Sequence, residues 1–376
     1  MLDNYNVQNL NLINNVNLLN FRNHISLNLE ANSSIIIIDG KNGSGKTSIL
    51  EAISTFSYGK GIRSAKNIEM VNKDKNEFSI ELKLQIDRTM PTYLKSYFNK
   101  TDQIKKIWYN DKELIKLTKL KKSMPMLWIV PYTEKIFNGA ASLRRKFLDK
   151  IICNFDENHN TRIIEYEKLL RQRTKLLKNK SYDDNWLSSI EKLLSKLSVA
   201  ICSSRLEILN RLKEFLEITP KRFPNVELSF ADSIENLLSK TPAIDIENKV
   251  EKDYKGSRSI DSIIGGSKVG CQTTDIIFMN KNKDLSASMC SSGEQKAILI
   301  TFILATSKAL LHYIKKPPII LLDEIFTHLD KPRKESLFNE LKKLGSQTWI
   351  TITENEDFLK DSSNICYFNL NSKVNM

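Results

Sequence analysis

The hydrophobic pattern changes period several times along the chain, and its first part predicts a strand, a loop and a helix. Apolar residues stand near alternate positions over residues 7–29, as in a half-buried strand. Residues 35–38 are four consecutive isoleucines, which is typical of a central strand buried on both faces. A glycine-rich stretch follows, and residues 47–56 then space their apolar side chains along one face of a helix.

The middle of the chain changes from a strand pattern to a helix pattern. Residues 66–130 contain short apolar segments, at 78–86 and 126–130, which predict an antiparallel β region. The period then becomes helical, and it predicts helices at residues 141–153, 162–177 and 186–215, the last of them interrupted. Residues 220–270 have a weak pattern, in which the Gly, Ser and charged residues at 256–266 predict a mobile surface loop.

The C-terminal part returns to alternating strands and helices. It predicts strands at residues 275–279, 319–322 and 348–352, and helices at 294–313 and 331–344. Pro317 and Pro318 stop the first of these helices. We therefore predict an α/β fold with a mixed sheet around the glycine-rich stretch, an antiparallel β region and a helical insertion. Its three segments are the N-terminal half of a head domain at 1–130, a helical lobe with a connector at 131–265, and the C-terminal half of the head at 266–376.

Composition narrows the class of protein. The chain has 376 residues, which is enough to bury a large core without disulfides. Its five cysteines are scattered and form no zinc or redox pattern, as expected in a reducing compartment. The N-terminus does not match a signal peptide, and the longest largely apolar run, residues 297–305, is far shorter than a membrane span. These features predict a soluble, cytoplasmic protein.

The charge balance favours a polyanionic partner. The net charge is +13 and the pI is about 9.3. Part of this charge is clustered, at residues 116–122, 144–146 and 171–180. The whole chain is also rich in Asn, Ile and Lys, as proteins from AT-rich genomes are, and lysine enrichment of that origin needs no function. Charge alone therefore leaves nucleic acid binding open.

The glycine-rich stretch has the residue types of a phosphate-binding loop. Glycines let backbone N–H groups wrap a phosphate, and the N-terminus of the following helix adds partial positive charge. Lys46 is placed to reach the β- and γ-phosphates of ATP, and the Thr47 hydroxyl is placed to bind Mg²⁺. A purely structural glycine turn is disfavoured by the strand before it and the helix after it. The predicted ATP-binding residues are Gly40, Lys41, Asn42, Gly43, Ser44, Gly45, Lys46 and Thr47.

An acidic pair follows the apolar run at 319–322. Asp323 and Glu324 therefore lie at the carboxyl end of a strand, where a parallel sheet binds its ligands. Asp323 is predicted to hold Mg²⁺ and Glu324 to polarise the attacking water as general base. Asp330 comes one short loop later and is predicted to contact a partner subunit. Such a pair also occurs at solvated strand ends, but the phosphate loop favours the catalytic interpretation.

A third motif, Cys290-Ser-Ser-Gly-Glu-Gln295, precedes the predicted helix at 294–313. Ser291 and Gly293, with Glu294, are predicted to face the terminal phosphate of ATP held by a second copy of the protein. The same turn is a common helix cap, with Glu294 as a first-turn acid. The order of phosphate loop, this motif and acidic strand end favours the phosphate role, and it predicts ATP-driven dimerisation.

These motifs, in this order and without a long coiled coil, resemble the RecF family of bacterial replication and repair ATPases, which is related to SMC and ABC ATPases. The resemblance covers nearly the whole chain. It rests on residues 18–24, 40–63, 136–149, 166–173, 290–295 and 321–330. The helical block at 136–149 and 166–173 is the most specific of these, because transporter ATPases do not share it.

The resemblance implies a P-loop ATPase head of the ABC/SMC type that binds ATP, Mg²⁺ and single-stranded or gapped DNA. It implies a weak DNA-dependent ATPase that forms an ATP-dependent homodimer. It also implies a role in loading recombinase and in the SOS response, with the RecR and RecO mediator proteins as partners and no membrane association. Two other functions stay open: an ATP-gated clamp or scaffold with negligible turnover, and an ABC transporter ATPase subunit.

The sequence departs from the family pattern in one place and from the pattern of transporter ATPases in another. Gln272 and Thr273 stand where the family usually has His and Arg, so contacts made by those residues do not transfer to this chain. Residues 353–356 also lack the histidine switch of transporter ATPases, which RecF proteins generally lack as well. The second departure predicts slow hydrolysis.

Overall fold

The computed structural model describes residues 12–85, 90–114, 124–179, 183–218, 220, 222–231, 233–353, 356, 359 and 365–371. The chain divides into two compact units. The first comprises residues 1–134, 219–223 and 296–376, and the second comprises residues 135–218 and 224–295. The start of the first predicted strand, residues 7–11, and the basic cluster at 116–122 lie outside the described residues. The predicted division into three segments stays a prediction.

The strands of the described residues are β1 (Leu12–Phe21), β2 (His24–Glu30), β3 (Ile35–Asp39), β4 (Glu77–Gln85), β5 (Thr92–Asn99), β6 (Lys105–Tyr109), β7 (Lys112–Glu113), β8 (Met126–Ile129), β9 (Val226–Ala231), β10 (Asp275–Asn280), β11 (Leu285–Ser286), β12 (Ile319–Leu322), β13 (Thr348–Ile352) and β14 (Ile365–Asn369). The helices are α1 (Lys46–Ser54), α2 (Asn67–Met70), α3 (Lys135–Asn138), α4 (Ala141–Ile152), α5 (His159–Asn179), α6 (Asp184–Leu216), α7 (Ile234–Leu238), α8 (Ala243–Gly256), α9 (Arg258–Ile264), α10 (Ser292–Ala309) and α11 (Lys331–Lys343). The predicted strands and helices of the C-terminal part are confirmed.

A five-stranded parallel sheet forms the centre of the first unit, in the order β14-β3-β13-β12-β8. Every residue of β3, β8, β12 and β13 is buried, as expected of strands covered on both faces. The register aligns Ile350 with both Leu322 and Ile37, so the carboxyl ends of the central strands meet at one edge. This edge is where the phosphate loop and the acidic pair begin.

The assignment of residues 126–130 to the antiparallel region was wrong. Met126 pairs in parallel with Ile319, which makes β8 an edge strand of the central sheet. The physical reason is that this run is apolar at every position and is buried on both faces, whereas strands of an antiparallel sheet with one wet face alternate. The sheet that holds the phosphate loop is therefore parallel in every described pairing, and not mixed.

A six-stranded antiparallel sheet, in the order β2-β1-β4-β5-β6-β7, confirms the predicted antiparallel region. Along β4 the burial alternates, because Phe78, Ile80, Leu82 and Leu84 point into the core and the residues between them point outward. The same core contains Ile36 and Ile38 of the phosphate-loop strand. The two sheets of the first unit thus share one hydrophobic core.

The second unit is built from helices and a three-stranded antiparallel sheet, β11-β10-β9. Two expectations about it were wrong. The helix predicted with an interruption is continuous over 33 residues as α6. The segment predicted as a mobile loop, 256–266, contains α9, in which Asp261 is buried. Asp261 forms an ion pair with Arg173, and a buried ion pair fixes such a segment in place.

Helix α10 begins with residues of the third motif. With the π turn that follows it, α10 forms the stretch Ser292–Ile314, which contains an 18-residue window with a mean hydropathy of 1.7, so its length and composition match those of a membrane span. However, 72% of this window is buried inside the protein. Such burial is typical of the core helix of a globular fold.

Candidate nucleotide site

The phosphate loop lies between β3 and α1 and depends on two glycines with left-handed backbone. Gly43 has φ 84° and Gly45 has φ 99°, and α1 begins directly after Gly45. A Cβ at position 45 would lie 2.4 Å from Nε2 of His24, so only glycine fits there. The same Nε2 lies 3.1 Å from the carbonyl oxygen of Gly45. The first residue of β2 therefore packs against the loop.

Lys46 lies over the loop with its side chain buried. Its ammonium donates hydrogen bonds to the carbonyl oxygens of Gly40 and, at 3.1 Å, of Lys41. The hydroxyl of Ser44 is also buried, and no protein hydrogen-bond partner is described for it. A buried hydroxyl without a partner is costly in a folded protein. A cation and a spare hydroxyl directed into one glycine loop fit a phosphate ligand.

Asp323 connects the phosphate loop to the end of the neighbouring strands. The Thr47 hydroxyl lies 3.0 Å and 2.9 Å from the two carboxylate oxygens of Asp323. On its other side, Thr351 of β13 donates its Oγ1 hydrogen to Asp323 Oδ1 at 2.7 Å. The same Oγ1 accepts a hydrogen bond from the backbone N–H of Glu324 at 2.9 Å. Thr351 was not predicted from the sequence, and it positions both acidic residues.

Glu324 has φ 50°, which is a strained backbone conformation for a residue with a side chain. Lys296 of α10 stabilises this turn with two hydrogen bonds. Its ammonium donates to the carbonyl oxygens of Glu324 at 3.3 Å and of Thr327 at 2.8 Å. Burial lowers the pKa of Lys296, and the carboxylates of Glu134 and Glu324 partly offset this effect. Sequence analysis missed Lys296. The one available signal was a lysine directly after the third motif, within an apolar helix.

The structure gives Asp330 a local role. Its side chain accepts a hydrogen bond from the backbone N–H of Arg333 at 2.8 Å and so caps the N-terminus of α11. The predicted contact of Asp330 with a partner subunit stays a prediction.

The third motif lies in the second unit at the start of α10. Glu294 accepts a hydrogen bond from the backbone N–H of Ser291 at 3.0 Å, which is half of a capping box. Lys283 pairs with Glu294 and holds the pKa of that carboxyl below its ordinary value. Ser291 is exposed and Gly293 is half-buried. The helix-cap interpretation of Glu294 thus has structural support, and the role of Ser291 and Gly293 toward a second copy stays a prediction.

Two other groups that the sequence singled out have partners within the second unit. Arg144 donates to both carboxylate oxygens of Asp275, at 2.7 Å and 3.0 Å, and Arg145 donates to the carbonyl of Thr274 at 2.7 Å. Gln272 donates to the carbonyls of Ser267 and Val269, and Thr273 to that of Gly270. These side chains join local elements, and Gln272 and Thr273 fit their turn without the histidine and arginine of the family pattern.

The ligands available for a metal ion match Mg²⁺. Within the part of the chain that the structure describes, no group of three or more His, Cys, Asp and Glu side chains could hold a metal. Thr47 and Asp323 offer a hydroxyl and a carboxylate at one point. Mg²⁺ typically takes one or two protein oxygens and completes its shell with waters and substrate phosphates. The site therefore fits a magnesium ion that arrives with a nucleotide.

A parallel sheet with a glycine loop, a buried lysine and a hydroxyl–carboxylate pair at its carboxyl edge defines a P-loop ATPase domain. In agreement, a family model described as "AAA domain" matches residues 15–228. The DNA replication and repair protein RecF of Rickettsia conorii is 35% identical over 341 residues, which cover 91% of this chain and 94% of the relative. The chain belongs to the RecF family, as the sequence motifs indicated.

Solved structures show the same fold. The recombination mediator protein RecF with ATPrS in the RecFOR pathway matches with a TM-score of 0.83 and 24% identity, over 96% of each chain. The Smc head domain of Pyrococcus furiosus matches with a TM-score of 0.53 and 16% identity, over 92% of this chain and 90% of that one. The predicted ATPase head related to SMC heads is thereby confirmed as the fold.

Proposed function

We propose that this chain is a cytoplasmic, ATP-dependent DNA-binding protein of replication and recombinational repair. In this proposal its ATP-bound form dimerises on single-stranded or gapped DNA. It helps to load recombinase together with RecR and RecO mediator proteins, and it supports the SOS response. Membership of the RecF family and the RecFOR pathway of the solved relative support the proposal. The observation that carries it is the network of Thr47, Asp323 and Thr351 beside the phosphate loop.

Each residue of the site has a defined task in this proposal. ATP, when bound with Mg²⁺, supplies the phosphate anhydride whose hydrolysis is thermodynamically favourable. The backbone N–H groups of residues 40–47 and the Lys46 ammonium neutralise phosphate charge. Thr47 and Asp323 offer the oxygen ligands for Mg²⁺. Glu324 accepts a proton from water, and Lys296 holds its backbone in place.

Slow hydrolysis fits this arrangement. Residues 40–47, Asp323 and Glu324 come from one chain, whereas the proposal places Ser291 and Gly293 of a second copy at the terminal phosphate. A site completed only in the dimer turns over only when two copies meet. DNA that holds two copies together then stimulates hydrolysis, which separates them again.

The test is the affinity for a gapped DNA duplex with ATP and Mg²⁺, with ADP and Mg²⁺, and without nucleotide. We expect ATP to raise the affinity of the wild type at least about tenfold, a difference of about 1.4 kcal/mol. Lys46→Ala removes the ammonium from the loop and should abolish both ATP binding and this increase. Lys60→Ala changes an exposed lysine outside the loop and serves as the matched control. Equal DNA affinity of the wild type in all three nucleotide states would contradict the proposal.

A further inference from the structure

A cationic groove lies in the second unit, on the side of α5 that faces solvent. Its volume is about 440 Å³. It is lined by Leu170, Arg171, Thr174, Lys175, Lys178, Asn179, Gly265 and Gly266. Three of these residues are cationic and none is acidic. The nearby Glu167 pairs with Arg171 at 3.7 Å, but both side chains are largely exposed, so this pair neutralises little.

The helical period of α5 explains why the cations share one side. Arg171, Lys175 and Lys178 are four and three residues apart and are exposed, whereas Arg173 and Leu177 are buried on the opposite side. At a rise of 1.5 Å per residue, Arg171 to Lys178 covers about 10 Å. One strand of duplex DNA presents a phosphate about every 3.4 Å along its axis. The three cations therefore extend over about three phosphate intervals and can neutralise up to three of the phosphates in them.

The two walls of the groove are fixed to each other by buried charges. Arg173 of α5 forms ion pairs with Asp261 of α9 at 2.6 Å and with Glu191 of α6 at 2.9 Å. All three side chains are at most 1% exposed. Arg173 also donates to the carbonyl oxygen of Tyr254 at 2.7 Å. Breaking such a network is costly, so the groove keeps its width when its own lining residues are changed.

The segment directly after α9 forms one wall of the groove and has a backbone conformation that favours glycine. Gly265 has φ +75°, and a Cβ there would lie 2.9 Å from Cε and 3.0 Å from Nζ of Lys178. A side chain at this position would push the ammonium away from the loop. A Cβ at Gly266 would meet no atom within 4 Å, so the backbone there is open to a ligand. A flat backbone beside a cation lets a phosphate approach closely.

We propose that this groove binds the phosphate backbone of DNA, a proposal that rests on the proposed function. Charge complementarity is the argument, because the lysines of another helix in the same unit, α8, have acidic neighbours. Helix α8 intersperses its lysines with acids: it contains Lys249, Lys252 and Lys255 together with Asp245, Glu247, Glu251 and Asp253. The lining of the groove contains no such acid. The position of the cations, and not the overall charge of +13, then determines where DNA binds.

The experiment compares two triple variants of the full chain that lose the same number of positive charges. One is Arg171→Ala/Lys175→Ala/Lys178→Ala in the groove, and the other is Lys249→Ala/Lys252→Ala/Lys255→Ala on α8. The six side chains are exposed, so both variants should fold. Affinity for a labelled gapped DNA duplex is measured by fluorescence anisotropy with ATP and Mg²⁺, with ADP and Mg²⁺ and without nucleotide, over a range of salt concentrations.

We expect the groove variant to bind DNA at least about tenfold more weakly at low salt. The slope of log affinity against log salt should become less steep by about 2 to 3, because about 0.9 is lost per phosphate contact on duplex DNA. The α8 variant should stay within about twofold of the wild type. ATP affinity should be the same in all three proteins, since the phosphate loop is unchanged.

Two results would overturn the proposal and are distinguishable, and a vesicle-binding measurement identifies the alternative ligand in the first case. Equal DNA affinity of groove variant and wild type would reject the groove and leave the proposed function intact. Absence of DNA binding by the wild type in every nucleotide state would reject both. The competing ligand is an anionic membrane. Ile263 of α9 is 86% exposed, and an exposed apolar side chain together with cations suits a membrane surface. If the groove variant no longer bound phosphatidylserine vesicles but kept the DNA affinity of the wild type, the groove would be assigned to the membrane.

Discussion

The replacement Thr351→Val tests the hydrogen-bond network behind the acidic pair. Valine keeps the shape of threonine and its preference for a strand, but it replaces the hydroxyl by a methyl group. Thr351 is fully buried in β13, and its Oγ1 both donates to Asp323 and accepts from the backbone N–H of Glu324. The substitution therefore removes two hydrogen bonds at once without leaving a cavity.

The expected loss of stability follows from these two bonds. A hydrogen bond to a carboxylate contributes about 1.5–3 kcal/mol, and an unpaired buried N–H costs about 1–3 kcal/mol. The Thr47 hydroxyl still donates to Asp323, which limits the first loss. The added buried methyl group offsets about 0.8 kcal/mol. We expect Thr351→Val to lower the free energy of unfolding of the first unit by about 2 kcal/mol.

Urea unfolding followed by tryptophan fluorescence measures this loss, because Trp349 is buried in the same strand. Thr351→Ser is the matched control. It keeps the hydroxyl and loses one methyl group, so it should cost only about 1 kcal/mol and should preserve nucleotide binding. The reasoning would be refuted if Thr351→Val were as stable as the wild type within about 0.5 kcal/mol, or more stable than Thr351→Ser.

Two further predictions concern the surroundings of the site. Lys296→Met removes the donor to the carbonyl of Glu324, whose backbone has φ 50°, and so leaves this turn free to move. We expect ATP turnover to fall at least about tenfold while ATP affinity stays within about threefold of the wild type. Unchanged turnover in a steady-state assay would remove Lys296 from this role. Burial lowers the pKa of His24 from its ordinary value of 6.5, so the unfolded chain binds its proton more readily than the folded protein. The contribution of His24 to the free energy of unfolding is therefore complete above pH 6.5 and is lost as the pH falls below 6.5. The free energy of unfolding that is lost between pH 7.5 and 5.5 should be smaller in His24→Gln than in the wild type. An equal loss in both proteins would contradict this account.

The parts of the site that follow one another in the sequence were predictable. A β-branched run, a glycine loop and an amphipathic helix are local signals, and they predicted the strand, the glycine turn and the helix that the structure has. Asp323 was predictable because it ends an apolar strand. In each case the residues that form the structure are neighbours in the chain, so pattern and chemistry are visible together.

The residues that the sequence analysis missed act through partners far along the chain. Thr351 has the pattern of any β-branched residue in a buried strand, and its partner Asp323 is 28 residues away. Lys296 donates to backbone carbonyls, and every residue type has one, so the residue types at positions 324 and 327 do not indicate the contact. The local pattern shows that these residues are buried, but it does not show what they contact.

The errors in the fold have the same origin. Helix α9 was predicted as a loop because the ion-pair partner of its buried Asp261 is Arg173, which is 88 residues away and is not visible in the local pattern. Strand β8 was assigned to the wrong sheet because its partner in the parallel sheet, β12, lies far along the chain. The same holds for a side-chain contact. Arg144 belongs to a basic cluster in the sequence, and its carboxylate partner Asp275 could not be predicted because it is 131 residues away.

The central claim is that ATP joins two copies of this chain through Ser291 of one copy and the phosphate loop of the other. The most direct measurement is the molar mass in solution of Glu324→Gln, which should bind ATP without hydrolysing it. With ATP and Mg²⁺ its mass should be twice the 43.3 kDa of the monomer, and with ADP it should be that of the monomer. Glu324→Gln/Ser291→Arg should bind ATP and stay monomeric, because the bulky cation lies at the proposed contact. A dimer of this double variant with ATP, or the same mass of Glu324→Gln with ATP and ADP, would contradict the claim.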